Sequence, residues 1–441
     1  MTTALQPQRG ATSTLVAALC GALILFDGYD LIVYGNVVPA LLAEPGWGLT
    51  PPLAARIASL TLVGMAVGAL VAGTIADRVG RRAVIFASLT LFSLTMAACA
   101  LAPSALAFGA FRVIGGLGLG AMFPLATAMI VEFAPAGRRA MVYAFSFFGY
   151  LIGGVLAAAL GLLLLADHGW RVMFWIGAAP LLFLPVLVKV LPESVAWLMS
   201  RGRIEDARAV ARRHGLDEPQ AVPATVDGEP VGGTKPLTVL FSRRYGLSTV
   251  LLWATQFCSL LLVFGMVTWL PTIMTTLDYS LGFALAFVLV LNLGAAIGAY
   301  VAARTADRIG PKPMVVALFA LGALAVGLLA TRPPSALVFL LIALAGAGTL
   351  GTQILVNVFA ASLYPAAGRA TGLGWALGVG RIGGIVGPLI GGAVLGSTLG
   401  AEWNFYVFAT VGALGAVFAL LLPLTPAARA ARTAESVPVT V

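Results

Sequence analysis

The chain has 441 residues, 60% of them hydrophobic and only 10% charged, against roughly 25% charged residues in a soluble domain. That balance excludes an ordinary soluble enzyme or binding domain and indicates a polytopic membrane protein. The net charge of +9 does not point to nucleic acid, because Lys and Arg cluster between apolar segments rather than on one face.

Met1 to Ser13 is polar, and the apolar run after it, Leu15 to Leu42, is longer than the core of a cleaved signal peptide, so it reads as a retained first span. Two carboxylates, Asp27 and Asp30, sit in its middle. Each costs ~2.5 to 3.5 kcal/mol inside a membrane, which makes each a functional-site hypothesis. Three residues apart on a helix they diverge by about 60°, so they share a face that must line the bundle interior.

Windows of about 20 residues then give eleven more spans: Leu53 to Ala76, Ala83 to Ala102, Ala105 to Phe133, Ala140 to Ala166, Val172 to Leu191, Gly246 to Met274, Leu281 to Ala306, Pro313 to Ala330, Ser335 to Leu363, Ala370 to Ser397 and Trp403 to Leu422. The expected fold is an all-α polytopic membrane protein of twelve helices in two six-helix bundles, 1–191 and 245–425. A cytoplasmic linker, 192–244, joins them, and 426–441 forms a cytoplasmic tail. Ile204 to His214 predicts a short surface helix, whereas Pro219 to Pro236 has the composition of a disordered stretch. Most basic residues fall on the side of the N-terminus, which predicts cytoplasmic termini and a plasma (inner) membrane location.

Sliding the first half onto the second with a 230-residue offset superposes Gly64 on Gly294, Gly68 on Gly298, Asp77-Arg78 on Asp307-Arg308, Gly80 on Gly310, Gly116 and Gly118 on Gly346 and Gly348, and Gly153 on Gly383. The chain is therefore two copies of a six-span unit inserted in the same direction, the plan of a rocker-switch transporter. Its small-xxx-small pairs, among them Gly64 and Gly68, suit close helix packing.

The loop after span two reads Gly73-Thr-Ile-Ala-Asp-Arg-Val-Gly-Arg-Arg82, and its repeat reads Ala303-Arg-Thr-Ala-Asp-Arg-Ile-Gly-Pro-Lys312. It resembles the loop signature of the major facilitator superfamily, and the resemblance covers all twelve spans. It implies gating roles for Asp77, Arg78, Arg82, Asp307 and Arg308, with Glu132 an acid for these arginines to pair with. The second copy departs at Ala303 and Pro311. Leu191-Pro-Glu-Ser-Val-Ala-Trp-Leu198 is similar to a signature shared by sugar porters and organic-acid symporters. Phe26-Asp-Gly-Tyr-Asp30, with Arg112-Val-Ile-Gly-Gly-Leu-Gly-Leu-Gly120, resembles the aromatic acid:proton symporters and implies benzoate, hydroxybenzoates and related ring acids as substrates.

The residue chemistry agrees with an anionic substrate. Arg381 lies mid-way along span eleven, and arginine there is permanently charged and shaped to hold a carboxylate in a bidentate manner. Arg112 lies at a depth comparable with Asp30, so the expected division assigns Arg112 to the acid pair and Arg381 to the substrate. Asp27 and Asp30 form the proton-coupling pair, titrating in separate steps; sodium coupling is the alternative on these residues. Ring-binding candidates are Tyr34, Trp269 and Trp375, with Tyr29, Phe145, Phe148 and Phe264 as further aromatics. Gln256, Asn292, Gln353 and Asn357 are intramembrane amides within reach of ring hydroxyls. His168 and His214 read as surface loop residues, and Cys20, Cys99 and Cys258 as packing residues without metal spacing. No catalytic constellation, cofactor or nucleic-acid partner is expected: the energy source is the proton gradient, the partners are protons, substrate and lipid, and the protein is a monomer. Rival functions are proton symport of an aliphatic acid or sugar and, from another class, a receptor or channel.

Overall fold

The computed structural model describes residues 11–134, 139–216, 225–226, 229–230 and 240–423, without the side chains of 11–14, 139–148, 225–226, 229–230, 366–368 and 370. In chain order the helices are α1 (Ala11–Leu42), α2 (Pro51–Val79), α3 (Arg81–Ala100), α4 (Ala105–Phe133), α5 (Arg139–His168), α6 (Arg171–Ala178), α7 (Pro180–Val190), α8 (Val195–Ser200) and α9 (Ile204–His214). A two-residue antiparallel pair, β1 (Thr225–Val226) with β2 (Glu229–Pro230), interrupts the linker. The rest of the stretch expected to be disordered lies outside the described residues. There follow α10 (Gly246–Thr276), α11 (Leu281–Ile309), α12 (Pro311–Leu329), α13 (Ser335–Gly346), a π-helical turn (Ala347–Gly351), α14 (Thr352–Leu363), α15 (Ala366–Leu395) and α16 (Trp403–Leu421).

Twelve described helical stretches are long and apolar enough to cross a membrane. Two of them are composite. Span six is α6 plus α7, divided where Pro180 lacks the amide that would continue the helix. Span ten is α13, the π turn and α14, the wider turn fitted by the hydroxyl of Thr352 donating to the carbonyl of Ala347, five residues back, at 3.2 Å.

The sequence repeat is realised as repeated contacts. A Cβ added at Gly116 would strike the carbonyl of Thr61, and one at Gly346 that of Leu291. Gly64 faces Val113 as Gly294 faces Ala343, and Gly68 faces Leu117 as Gly298 faces Ala347. Each pair of neighbours differs by the same offset, so α2–α4 and α11–α13 cross at equivalent points through backbone contact. Lipid supplies no hydrophobic drive for such a crossing; small residues that let backbones touch supply the packing. The π turn breaks the symmetry: α4 runs on as helix through the equivalent positions.

Packing divides the chain into two compact units, Met1–Val33 with Leu60–Pro223, and Tyr34–Ser59 with Ala224–Val441. In this division α1 and α2 are each cut, and the hairpin from Tyr34 to Ser59 groups with the second unit. The reason is local contact. Gly35 lies against the backbone of Val267, the hydroxyl of Ser59 donates to the carbonyl of Ile385 at 2.7 Å, and Gly392 lies beside Ala55 and Pro51.

Candidate functional site

In the first unit the site is built on the middle of α1. Asp30 is fully buried, Asp27 is 3% exposed and Arg112 of α4 is 5% exposed. Arg112 donates through Nη1 to Asp30 Oδ1, a buried ion pair, and touches Met96 Sδ at 3.8 Å. The second carboxylate oxygen, Asp30 Oδ2, is also buried and accepts no hydrogen bond. The residues between the acids explain how they are held. Gly28 is the point where α1 meets the backbone of Tyr150 on α5, with no room for a Cβ, and Gly153 receives Leu25 in the same manner. Tyr29 donates its hydroxyl to the carbonyl of Met173 at 2.7 Å, tying α1 to α6. The Asp-Gly-Tyr-Asp segment is thus one turn of helix clamped by α5 and α6.

In the second unit Arg381 is half-buried, midway along α15, and it is engaged with a neighbouring group. The adjacent Gly380 packs on Gln256 of α10. Gln256 opens a buried amide cluster. It donates to Asn357 Oδ1 at 2.8 Å, and Gln353 donates both to Gln256 Oε1 at 3.1 Å and to Asn357 Oδ1 at 3.2 Å. Gln353 Oε1 is left buried without a donor. The π turn ends one residue before Thr352, so the wider turn directly precedes the segment presenting Gln353 and Asn357. Trp375 is half-exposed and stacks on Trp253, centroids 5.7 Å apart and 21° from parallel.

Other expected ligand residues are placed differently. Trp269 is fully buried, its indole N–H donating to the carbonyl of Pro388 at 2.8 Å, so it seals α10 to α15. Tyr34 is 3% exposed and donates to the carbonyl of Ala54 at 2.7 Å, fastening the α1–α2 hairpin. Asn292 donates to Val288 within its own helix at 2.9 Å and does not join the amide cluster. In each case the polar donor is taken by a backbone carbonyl, while Asn292 Oδ1 stays buried without a donor. The side chains of Phe145 and Phe148 lie outside the described residues. His214 corrects the surface reading: it ends α9 buried, edge-on to Phe133 at 5.3 Å, whereas His168 is exposed.

The α2–α3 loop assembles a polar network that the signature only outlined. Gly80, at φ 103°, makes a turn open to glycine but strained for other residues, and Gly310 at φ 89° does so in the repeat. The side chains of Asp77, Arg78, Asp307 and Arg308 are exposed. The carbonyl of Asp77 accepts from Trp197 Nε1 at 3.0 Å and from Arg201 at 2.9 Å, and that of Arg78 accepts from Arg201 at 2.7 Å. Glu132 pairs with Arg81 at 2.7 Å, and it also accepts from the Ser194 hydroxyl at 2.8 Å and the Ala196 amide at 2.9 Å. Arg82 instead donates to the carbonyl of Val188, while Glu193 accepts from the Arg82 and Ser194 amides at 3.1 and 2.9 Å. Lys312 in the repeat reaches the carbonyl of Leu422 at 2.7 Å, so both copies place a cation on the carbonyl end of the last helix of their half. Arg81, Glu193, Ser194, Trp197 and Arg201 were not among the expected site residues, although the Pro-Glu-Ser-x-x-Trp signature contains three of them.

The model of the Major Facilitator Superfamily matches residues 20–299 and 288–439. The chain belongs to the major facilitator superfamily. This facilitator is 40% identical to the gentisate transporter of Corynebacterium glutamicum over 91% of this chain and 85% of the relative. It is 35% identical to the benzoate transport protein of Acinetobacter baylyi over 84% and 81%, and 35% identical to the gallate transporter of Pseudomonas putida over 84% and 83%. The inward-open structure of the xylose transporter XylE from E. coli has its fold, with TM-score 0.73 at 20% identity over 94% of this chain and 97% of that one. The facilitator is a multi-pass membrane transporter whose relatives are transporters, not enzymes.

Proposed function

We propose that this facilitator takes up a small aromatic carboxylate of the benzoate and hydroxybenzoate class together with a proton, by alternating access, across the plasma (inner) membrane with both termini cytoplasmic. The observation that carries the reading is the buried Asp30–Arg112 pair with one carboxylate oxygen unoccupied and Asp27 one turn away. Carboxylates inside a membrane that face the bundle interior beside a cation are the group type from which proton relays in transporters are built. The names of the relatives support the ring acid, and no cofactor is required beyond the proton gradient.

Arg381 takes the substrate carboxylate, and the amide cluster of Gln256, Gln353 and Asn357 meets the ring hydroxyls, Gln353 Oε1 being an acceptor that a phenol satisfies. Trp375, on its Trp253 neighbour, supplies a ring face. Arg112 serves the coupling site. Arg82 and Glu132, with the carbonyls of Asp77 and Arg78, act in gating through the loop network, and the sequence repeat gives Asp307 and Arg308 the same role in the second half. The test is uptake of labelled 4-hydroxybenzoate into proteoliposomes with competitors. Benzoate and hydroxybenzoates should compete, and a dicarboxylate or a pentose should not; competition by the latter pair alone would transfer the protein to an aliphatic-acid or sugar symporter. Counterflow of labelled substrate separates a carrier from a channel or receptor.

A further inference from the structure

Four helices of the first unit meet around Asp30. Arg112 of α4 is the partner of its carboxylate, and the same nitrogen, Nη1, also donates to Met96 Sδ of α3 at 3.8 Å. Met96 is 1% exposed. Its terminal methyl lies over Gly177 of α6, where an added Cβ would strike it. One turn back along α6, the carbonyl of Met173 accepts the hydroxyl of Tyr29, the neighbour of Asp30 on α1. The contacts therefore close into a ring, to which α3 contributes Met96. A thioether suits that place. It is uncharged, so it does not compete with Asp30 for the guanidinium as a carboxylate would, yet its sulfur is a weak acceptor that an N–H can face. Being unbranched and polarisable, it follows small movements of its neighbour.

We infer that Met96 is a positioning residue for coupling: its sulfur, seated on Gly177, holds the guanidinium of Arg112 in register with Asp30. Resting on the assignment of Asp30 and Arg112 to proton coupling, this adds a residue from a third helix. An arginine side chain has much rotamer freedom to lose, and a carboxylate that changes its protonation during transport needs its cation to stay in place. The carboxylate fixes Nη1 from α1, and the thioether fixes it from α3. Packing alone gives a different expectation. Leu conserves the volume of Met and is tolerated in ordinary cores at small cost, whereas Gln keeps an unbranched shape and an acceptor but brings an amide that an apolar core rejects. The two roles therefore rank Leu and Gln at position 96 in opposite order.

The experiment uses the full-length protein in proteoliposomes and compares the parent with Met96→Leu, Met96→Gln, Gly177→Ala and Met96→Leu/Gly177→Ala. Counterflow of labelled 4-hydroxybenzoate gives KM without a gradient, accumulation under an inward proton gradient gives coupling, and thermal unfolding reports the fold. Met96→Leu should keep the parent's KM and Tm while accumulating about fivefold less, the worth of one weak hydrogen bond. Met96→Gln should accumulate more than Met96→Leu. Gly177→Ala, which displaces the thioether without changing it, should lower accumulation too, and should add nothing in the Met96→Leu background, where the thioether is already absent. Parent-like accumulation in Met96→Leu, Leu outperforming Gln, or a Gly177→Ala effect that simply adds overturns the proposal and leaves proton coupling standing. Accumulation and counterflow that fall together with Tm also overturn it, because packing alone does that. A parent that fails to concentrate substrate under the gradient removes the coupling assignment itself, and the role of Met96 with it.

Discussion

A buried ion pair costs several kcal/mol of desolvation per charge and is destabilising to break from one side. Arg112→Gln leaves Asp30 buried without its cation, and thermal or denaturant unfolding should show a loss of about 3–5 kcal/mol. Asp30→Asn should be similarly damaging to stability, while the double variant recovers much of the loss, since no orphan charge remains. A single variant as stable as the parent would show that the pair is not buried as described. At the amide cluster, Gln353→Met removes the unsatisfied acceptor. It should leave benzoate uptake near the parent value while lowering the preference for 4-hydroxybenzoate over benzoate by about tenfold, the worth of roughly one hydrogen bond. Unchanged preference would remove the hydroxyl reading without touching the carboxylate site. The sequence made these residues visible because an ionisable or amide side chain in an apolar run is conspicuous. It did not show which would be consumed by backbone carbonyls. Tyr34, Trp269 and Asn292 donate to the carbonyls of Ala54, Pro388 and Val288, partners that belong to main chain and leave no side-chain signal.

Helix crossings carry the next set of consequences. Gly120 lies against the backbone of Met65, and Gly35 against that of Val267. A leucine at Gly120 should prise α2 from α4 and reduce folded yield, read by size-exclusion chromatography after extraction. Gly35→Leu should instead displace the Tyr34–Ser59 hairpin within its own unit, lowering transport while the Asp30–Arg112 pair persists; unaffected uptake would show that the hairpin contact is dispensable. In the loop network, Ser194→Ala removes both the cap of α8, which accepts from Trp197 N at 3.1 Å, and a donor to Glu132. A loss of about 1 kcal/mol is expected. The crossings were legible because a glycine repeated at fixed offset has few reasons to exist other than backbone approach. The π turn was not legible. Gly346, Gly348 and Gly351 resemble Gly116 and Gly118 in α4, and only packing against Gly322 and Ala295 distinguishes a widened turn from a regular one.

At the scale of the whole molecule, duplication explains why so few charged residues suffice. Each half repeats its crossings and its Asp-Arg-x-Gly turn, while the residues proposed for coupling lie in one unit and those proposed for the substrate, Arg381 and the amides, in the other. The twelve spans and the repeat follow from hydropathy and spacing. The regrouping of the Tyr34–Ser59 hairpin does not, because a cut inside a continuous helix leaves no mark on composition. The direct test of coupling is accumulation of labelled 4-hydroxybenzoate in proteoliposomes, with and without an inward proton gradient, for the parent and for Asp27→Asn and Asp30→Asn. The account predicts accumulation in the parent only under the gradient, and at least one variant that still exchanges substrate in counterflow but no longer concentrates it. Gradient-driven accumulation that survives in the combined Asp27→Asn/Asp30→Asn protein would contradict it.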